Sequence, residues 1–192
     1  MKRTNFSVLD GLLRRNAVLS EGMVIAPIVV CCDTLPKAMI LSLAFACITF
    51  LTVAIASFYP KKAAYAVKVV LGALTAAIVT IPVSLLCDYL NYANIGIYFP
   101  LLAVNSMIVL HSELYFYKLR RRVMLPALLF HIAGFCLTAL LAGLVREILA
   151  YGTICGRAVD MRLLLQGFSA PWAGFILLGV LCALHRKIFP KK

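Results

Sequence analysis

The residues of this 192-residue chain best suited to chemistry are its seven cysteines, Cys31, Cys32, Cys47, Cys87, Cys136, Cys155 and Cys182. Thiolates bind soft metals and iron–sulfur clusters. Here the count is odd, no CxxC occurs, and most of the cysteines lie in apolar runs, where the side chain acts as a small hydrophobe. His131 is an ionisable group inside an apolar stretch, which points to a proton relay or a quinone contact. The plainer reading is a neutral imidazole bonded to a neighbouring helix. Glu21 precedes the first apolar run, where a carboxylate either caps a helix or lines an ion path. Asp88 reads as an interfacial charge, because a hard-cation site needs several oxygens. Arg146 and Glu147 read as a pair anchoring a helix end. There is no P-loop, GxGxxG, Ser/His/Asp order or HExxH, so no catalytic residue and no metal ligand is assigned.

The elements that must carry these residues are set by composition. Apolar residues make up 64% of the chain and charged residues 14%, and the mean hydropathy is +1.00. A soluble domain has about 45–50% apolar and about 25% charged residues, so a polytopic membrane protein is expected, all-α and embedded in a lipid bilayer. A helix crosses a bilayer with about 20 apolar residues. Ala38–Phe58, Val67–Leu86, Leu125–Leu144 and Gly167–Leu184 meet that requirement. Met23–Cys32 and Ile95–Leu110 are short and contain Pro27 and Pro100, which remove backbone donors. Such segments are distorted spans or half-helices covered by protein.

One short run opens residues 1–92 and the other opens residues 93–192, and each is followed by two full spans. The expected fold is therefore six transmembrane helices in two inverted three-helix repeats with short, Pro-broken first helices, forming one membrane domain. Paired interrupted segments of this kind mark the functional centre of such folds, which singles out Pro27, Pro100 and Asn105. The formal charge is +12. With both termini inside, fifteen of the nineteen Lys and Arg fall on the cytoplasmic side, as the positive-inside rule requires. This explains the basic balance without nucleic acid. Small residues in the spans, such as Gly134, Gly143 and Gly174, let helices approach closely.

The motifs resemble those of the integral-membrane subunits shared by Rnf and Nqr electron-transport complexes (the RnfA/RnfE and NqrD/NqrE type). Gly11-Leu12 with Arg15-Asn16-Ala17-Val18-Leu19 is similar to that family's GLxxNNxxLV stretch. The run from Ile95 to Asn105 resembles LGIxxPLIxxN. Arg146-Glu147-Ile148 with Gly152-Thr153 resembles REIxGxGT, and Ala170 to Ile176 resembles PPGAFI. The last two point to the RnfE/NqrD branch. The resemblance implies an inner-membrane protein with cytoplasmic termini. It also implies pairing with a homologous subunit of opposite orientation, other redox subunits as partners, and a [2Fe–2S] centre held by one cysteine from each short helix. In this chain those ligand positions are Ala26 and Ser106. Ala has no donor atom and Ser offers a hard oxygen in place of a thiolate, so the cluster is not expected here. Cys31 and Cys32 are weak substitutes, about 7–9 Å further along a helix.

Two functional readings follow. The first is a membrane subunit of an Rnf/Nqr-type ion-translocating electron-transport complex, structural or divergent and without its own iron–sulfur centre. The alternative is an inverted-repeat carrier for a small, weakly polar substrate or ion.

Overall fold

The computed structural model describes residues 12–14, 16–59, 64–89, 100, 102–103, 105–108, 121–159 and 165–189. Among these residues there are five helices: α1 (Ile25–Cys31), α2 (Leu35–Ala56), α3 (Tyr65–Tyr89), α4 (Arg121–Tyr151) and α5 (Pro171–Ile188). A short antiparallel hairpin, β1 (Thr153–Ile154) and β2 (Arg157–Ala158), and a 3₁₀ turn at Gln166–Ser169 separate α4 from α5. Four helices, all but α1, are long and apolar enough to cross a membrane. They match the four expected full-length spans. Most of the second short run, Ile95–Leu110, lies outside the described residues.

The helix limits have local causes. α5 begins at Pro171, four residues later than expected. The preceding residues form the 3₁₀ turn, and proline at the first helical position loses no hydrogen bond. α4 runs past the expected end at Leu144 to Tyr151, carrying Arg146 and Glu147 inside the helix. α1 is not broken by Pro27. The proline lies in its first turn, where backbone N–H groups have no intrahelical acceptor, so the interruption falls before the helix, at Val24.

α2 and α4 form the centre. Half of each span is buried within the protein, against 22% for α3 and α5. The central pair is antiparallel. Phe45 stacks on Phe135 with ring centroids 3.7 Å apart, the Cys136 thiol faces the Ser42 carbonyl at 3.6 Å, and Gly143 lies against Ala38 and Thr34. α3 returns along α2: the Tyr59 hydroxyl donates to the Leu71 carbonyl at 3.1 Å, and Val83, Leu86 and Cys87 share a groove with Pro36, Met39 and Ile40. α3 and α5 turn exposed Ile78, Leu85, Phe175 and Val180 outward, as helices facing lipid or another apolar surface do. Exposed aromatics stand at the span ends, among them Phe58, Tyr89, Tyr151 and Trp172.

The N-terminal segment runs the length of α5 in the opposite direction. The Leu13 carbonyl meets His185 Nε2 at 2.7 Å, and Val29 packs on Gly174. One end of the bundle thus gathers the α1 C-terminus, the α2 N-terminus, the α4 C-terminus and the α5 N-terminus. Residues 12–14 and the α5 C-terminus lie at the other.

A Cβ on Gly143 would sit 2.6 Å from the Ala38 Cβ and 3.1 Å from the Thr34 carbonyl oxygen. Gly143→Ala is expected to lower stability by about 1–3 kcal/mol through overpacking, read as earlier thermal loss of the monodisperse peak in detergent. An unchanged profile would mean that α2 and α4 do not approach this closely.

Candidate functional site

The site is built where two irregular segments meet. Asn16, 1% exposed, organises the first. Its carbonyl oxygen accepts from the Val18 and Leu19 amides at 2.9 and 3.1 Å. Its amide donates to the Gly134 carbonyl at 2.8 Å and the Thr138 hydroxyl at 3.2 Å on α4. The side chain thus caps a turn whose own backbone bonds run from the Ser20 amide to the Asn16 carbonyl and from the Gly22 amide to the Val18 carbonyl, and ties that turn to α4. The chain then turns through two left-handed residues, Gly22 (φ 69°) and Val24 (φ 57°). The second is β-branched, a conformation that costs about 1–2 kcal/mol and persists only where surroundings enforce it.

Asn105 organises the second segment in the same manner. Its Oδ1 accepts from the Ile108 amide at 2.9 Å and its Nδ2 donates to the Leu102 carbonyl at 2.8 Å. Pro100 supplies a carbonyl to the Ala103 amide at 3.0 Å, closing a tight turn before it. The two segments touch: the Val24 amide donates to the Ser106 hydroxyl at 3.2 Å. Ala26 is exposed and Ser106 half-buried, so both positions open to the surface of the chain.

The far end of α1 is held by Arg146, 1% exposed. Its Nη1 donates to the carbonyls of Val29 at 2.7 Å and Cys32 at 2.9 Å. Nη2 donates to Ser169 and Ala170 at 2.8 and 3.3 Å, and Nε donates to Phe168 at 3.1 Å. A guanidinium has five N–H donors, and all five meet carbonyl oxygens. Gly174 makes room for this, since a Cβ there would lie 3.2 Å from the Val29 oxygen and 3.3 Å from Nη1. Glu147 acts separately. Its Oε2 accepts the Leu35 amide at 2.7 Å and so caps α2, whose own Thr34 side chain makes no cap. Its Oε1 accepts from the Thr153 hydroxyl and the Gly156 amide, each at 3.1 Å. The expected pairing of Arg146 with Glu147 is therefore corrected: each anchors a different helix end. Among the described residues the ion pair is Lys37 with Asp33, at 2.7 Å.

Cys31 and Cys32 are buried free thiols at the Arg146 end of α1. Ser106 stands at the other end of this seven-residue helix, about 10 Å away at 1.5 Å per residue. Glu21 is exposed in the turn before α1. His131 is 2% exposed, and its Nδ1 lies 2.8 Å from the Ala127 carbonyl of its own helix. A carbonyl only accepts, so this nitrogen carries the proton. Asp88 is exposed near the end of α3. Among the described residues no three His, Cys, Asp or Glu side chains cluster as metal ligands would. Sequence reasoning missed the Asn16 bracket and the Arg146 clamp. The signal for the clamp was an arginine at the end of an apolar run with only one neighbouring acid.

A family model described as Rnf-Nqr subunit, membrane protein, matches residues 6–182. The chain belongs to that family. No curated protein matches it. As an Rnf-Nqr family member it is a membrane subunit of an electron-transport complex built from several subunits, and its apolar helices lie in the membrane.

Two substitutions test the anchors. Glu147→Ala strands the Leu35 amide and both hairpin donors, so a loss of about 1–2 kcal/mol, the worth of an N-cap, is expected in thermal unfolding. Gly174→Leu drives a side chain into the Val29 carbonyl and the guanidinium, and is expected to be the more damaging change. Wild-type melting of both variants would refute these contacts.

Proposed function

We propose that this Rnf-Nqr subunit has a structural or divergent role in an ion-translocating electron-transport complex of the inner membrane and carries no iron–sulfur centre of its own. The observation that carries this reading is the direct bond from the Val24 amide to the Ser106 hydroxyl. The family's thiolates belong at this junction; here there is a methyl group at Ala26 and a hydroxyl already engaged at Ser106. A [2Fe–2S] cluster takes thiolate ligands, and this donor set does not fit it. Cys31 and Cys32 lie at the wrong end of α1 to restore the set. The junction opens to the chain surface at Ala26 and Ser106, which suits contact with a homologous subunit of opposite orientation.

The same reading includes six crossings in two inverted halves with both termini cytoplasmic. The helix ends support it. α3 finishes at the Arg146 end and α4 begins at the opposite one, the placement of ends that a further crossing between them requires. Residues 13–32 make a further passage beside α5. The antiparallel central pair and the equal burial of α2 with α4, and of α3 with α5, fit two halves of opposite orientation. The carrier alternative finds less support: Asn105 and Ser106 are the polar side chains described at the junction, and both are bonded within the chain.

Iron and sulfide analysis with visible absorbance of the anaerobically purified chain tests the first part. Iron and sulfide at background and no absorbance band are expected. Stoichiometric iron with a cluster spectrum would overturn it. Accessibility labelling tests the second part. Lys37 and Lys61 are expected to label from opposite sides of the membrane; labelling from one side would end the six-crossing reading.

A further inference from the structure

Hydroxyls within apolar helices commonly turn back to a carbonyl of their own helix. This chain does so at Thr75, Thr80, Ser84 and Thr138, with distances of 2.9, 2.7, 2.8 and 3.0 Å. α2 carries three hydroxyls that do not: Ser42, Thr49 and Thr52 are buried and their oxygens have no hydrogen-bond partner in the protein. Ser42 has the Cys136 thiol against it. Thr49 and Thr52 are each 0% exposed and lie three residues apart, on one face of the helix. The Phe45 and Ile48 carbonyls, one turn back, were available to them by the same geometry as at Thr80.

Their surroundings follow from the antiparallel register. Ala38 lies against Gly143, Ser42 against Cys136 and Phe45 against Phe135. One turn further along, this register brings His131 opposite Thr49 and the Ala127–Leu128 stretch opposite Thr52, all of them buried. We propose that Thr49 and Thr52 hold ordered water inside the α2–α4 seam, at the level of the His131 ring. A hydroxyl needs an acceptor for its proton and a donor for its lone pairs. Water supplies both, whereas a cation meets only the lone pairs. α2 and the part of α4 before Arg146 contain no Asp or Glu, so no carboxylate there would balance a cation. Water with two to four polar partners is the ordinary occupant of such a site. The seam thereby gains a wet point beside a buried titratable ring, whatever the fate of the iron–sulfur reading.

The test is water-edited solid-state NMR of the full chain in liposomes, with Thr80, buried and bonded to Ala76, as the internal control. Polarisation is expected to pass from water to Thr49, Thr52 and His131 well ahead of Thr80. In the T49V/T52V double variant, transfer to His131 is expected to be lost and the melting temperature to fall. Build-up at Thr49 and Thr52 no faster than at Thr80, or a higher melting temperature in the double variant, would show a dry seam and overturn the proposal. Thr49 and Thr52 signals that shift when sodium replaces choline would show a cation in place of water and overturn it as well.

Discussion

A guanidinium buried in an apolar bundle must find an acceptor for every N–H or be expelled. Arg146 finds five, all of them backbone carbonyls, and they come from two chain segments far apart in sequence. Val29 and Cys32 offer the carbonyls left over at the end of α1, the negative pole of that helix. Phe168, Ser169 and Ala170 offer those of the turn that launches α5. The cation therefore draws a seven-residue helix, too short to be stable alone, onto the central α4 and against Gly174 of α5. Lysine would bring three donors on a flexible stem and could not reproduce the fork.

From this anchor the rest of the central junction follows. With its C-terminus fixed, α1 can begin only where the chain turns sharply, and Gly22 and Val24 take left-handed conformations to do so. Asn16 holds the approach against α4, and Ser106 meets the Val24 amide from the second irregular segment. Polar side chains cap the short turns on both sides of the junction. Asn16, Asn105 and Ser106 each engage backbone groups of the described parts of the two irregular segments, as non-helical backbone inside a membrane bundle requires. Neither side chain at the junction offers the thiolate that an iron–sulfur cluster takes. The Ser106 hydroxyl bonded to the Val24 amide and the methyl group of Ala26 are the basis of the proposed role of holding the complex together.

Much of the fold was legible in the sequence because bilayer thickness leaves a direct mark on apolar run length. The four long spans agree with their apolar runs to within about four residues at every end but the last turns of α4, which run on to Tyr151, and Pro27 marks the first irregular segment. The proline does not interrupt α1, because it sits in the first turn, where its missing N–H has no intrahelical acceptor. The family motifs located Asn16, Asn105, Arg146 and Glu147 without revealing what they bond. Arg146 and Glu147 adjoin in sequence, which suggested a mutual pair, yet consecutive helical residues point in different directions. Each reaches a helix end supplied from more than a hundred residues away. Contacts of that separation, like the unpartnered hydroxyls of α2, leave no periodic trace.

The most direct measurement is hydrogen–deuterium exchange of the membrane-reconstituted protein, comparing wild type with Arg146→Lys. Exchange reports local opening segment by segment. If the guanidinium fork holds the junction, amides of residues 25–32 and 168–174 will exchange markedly faster in the variant while those of α2 and α3 stay protected. Protection of both segments unchanged by the substitution would contradict the account.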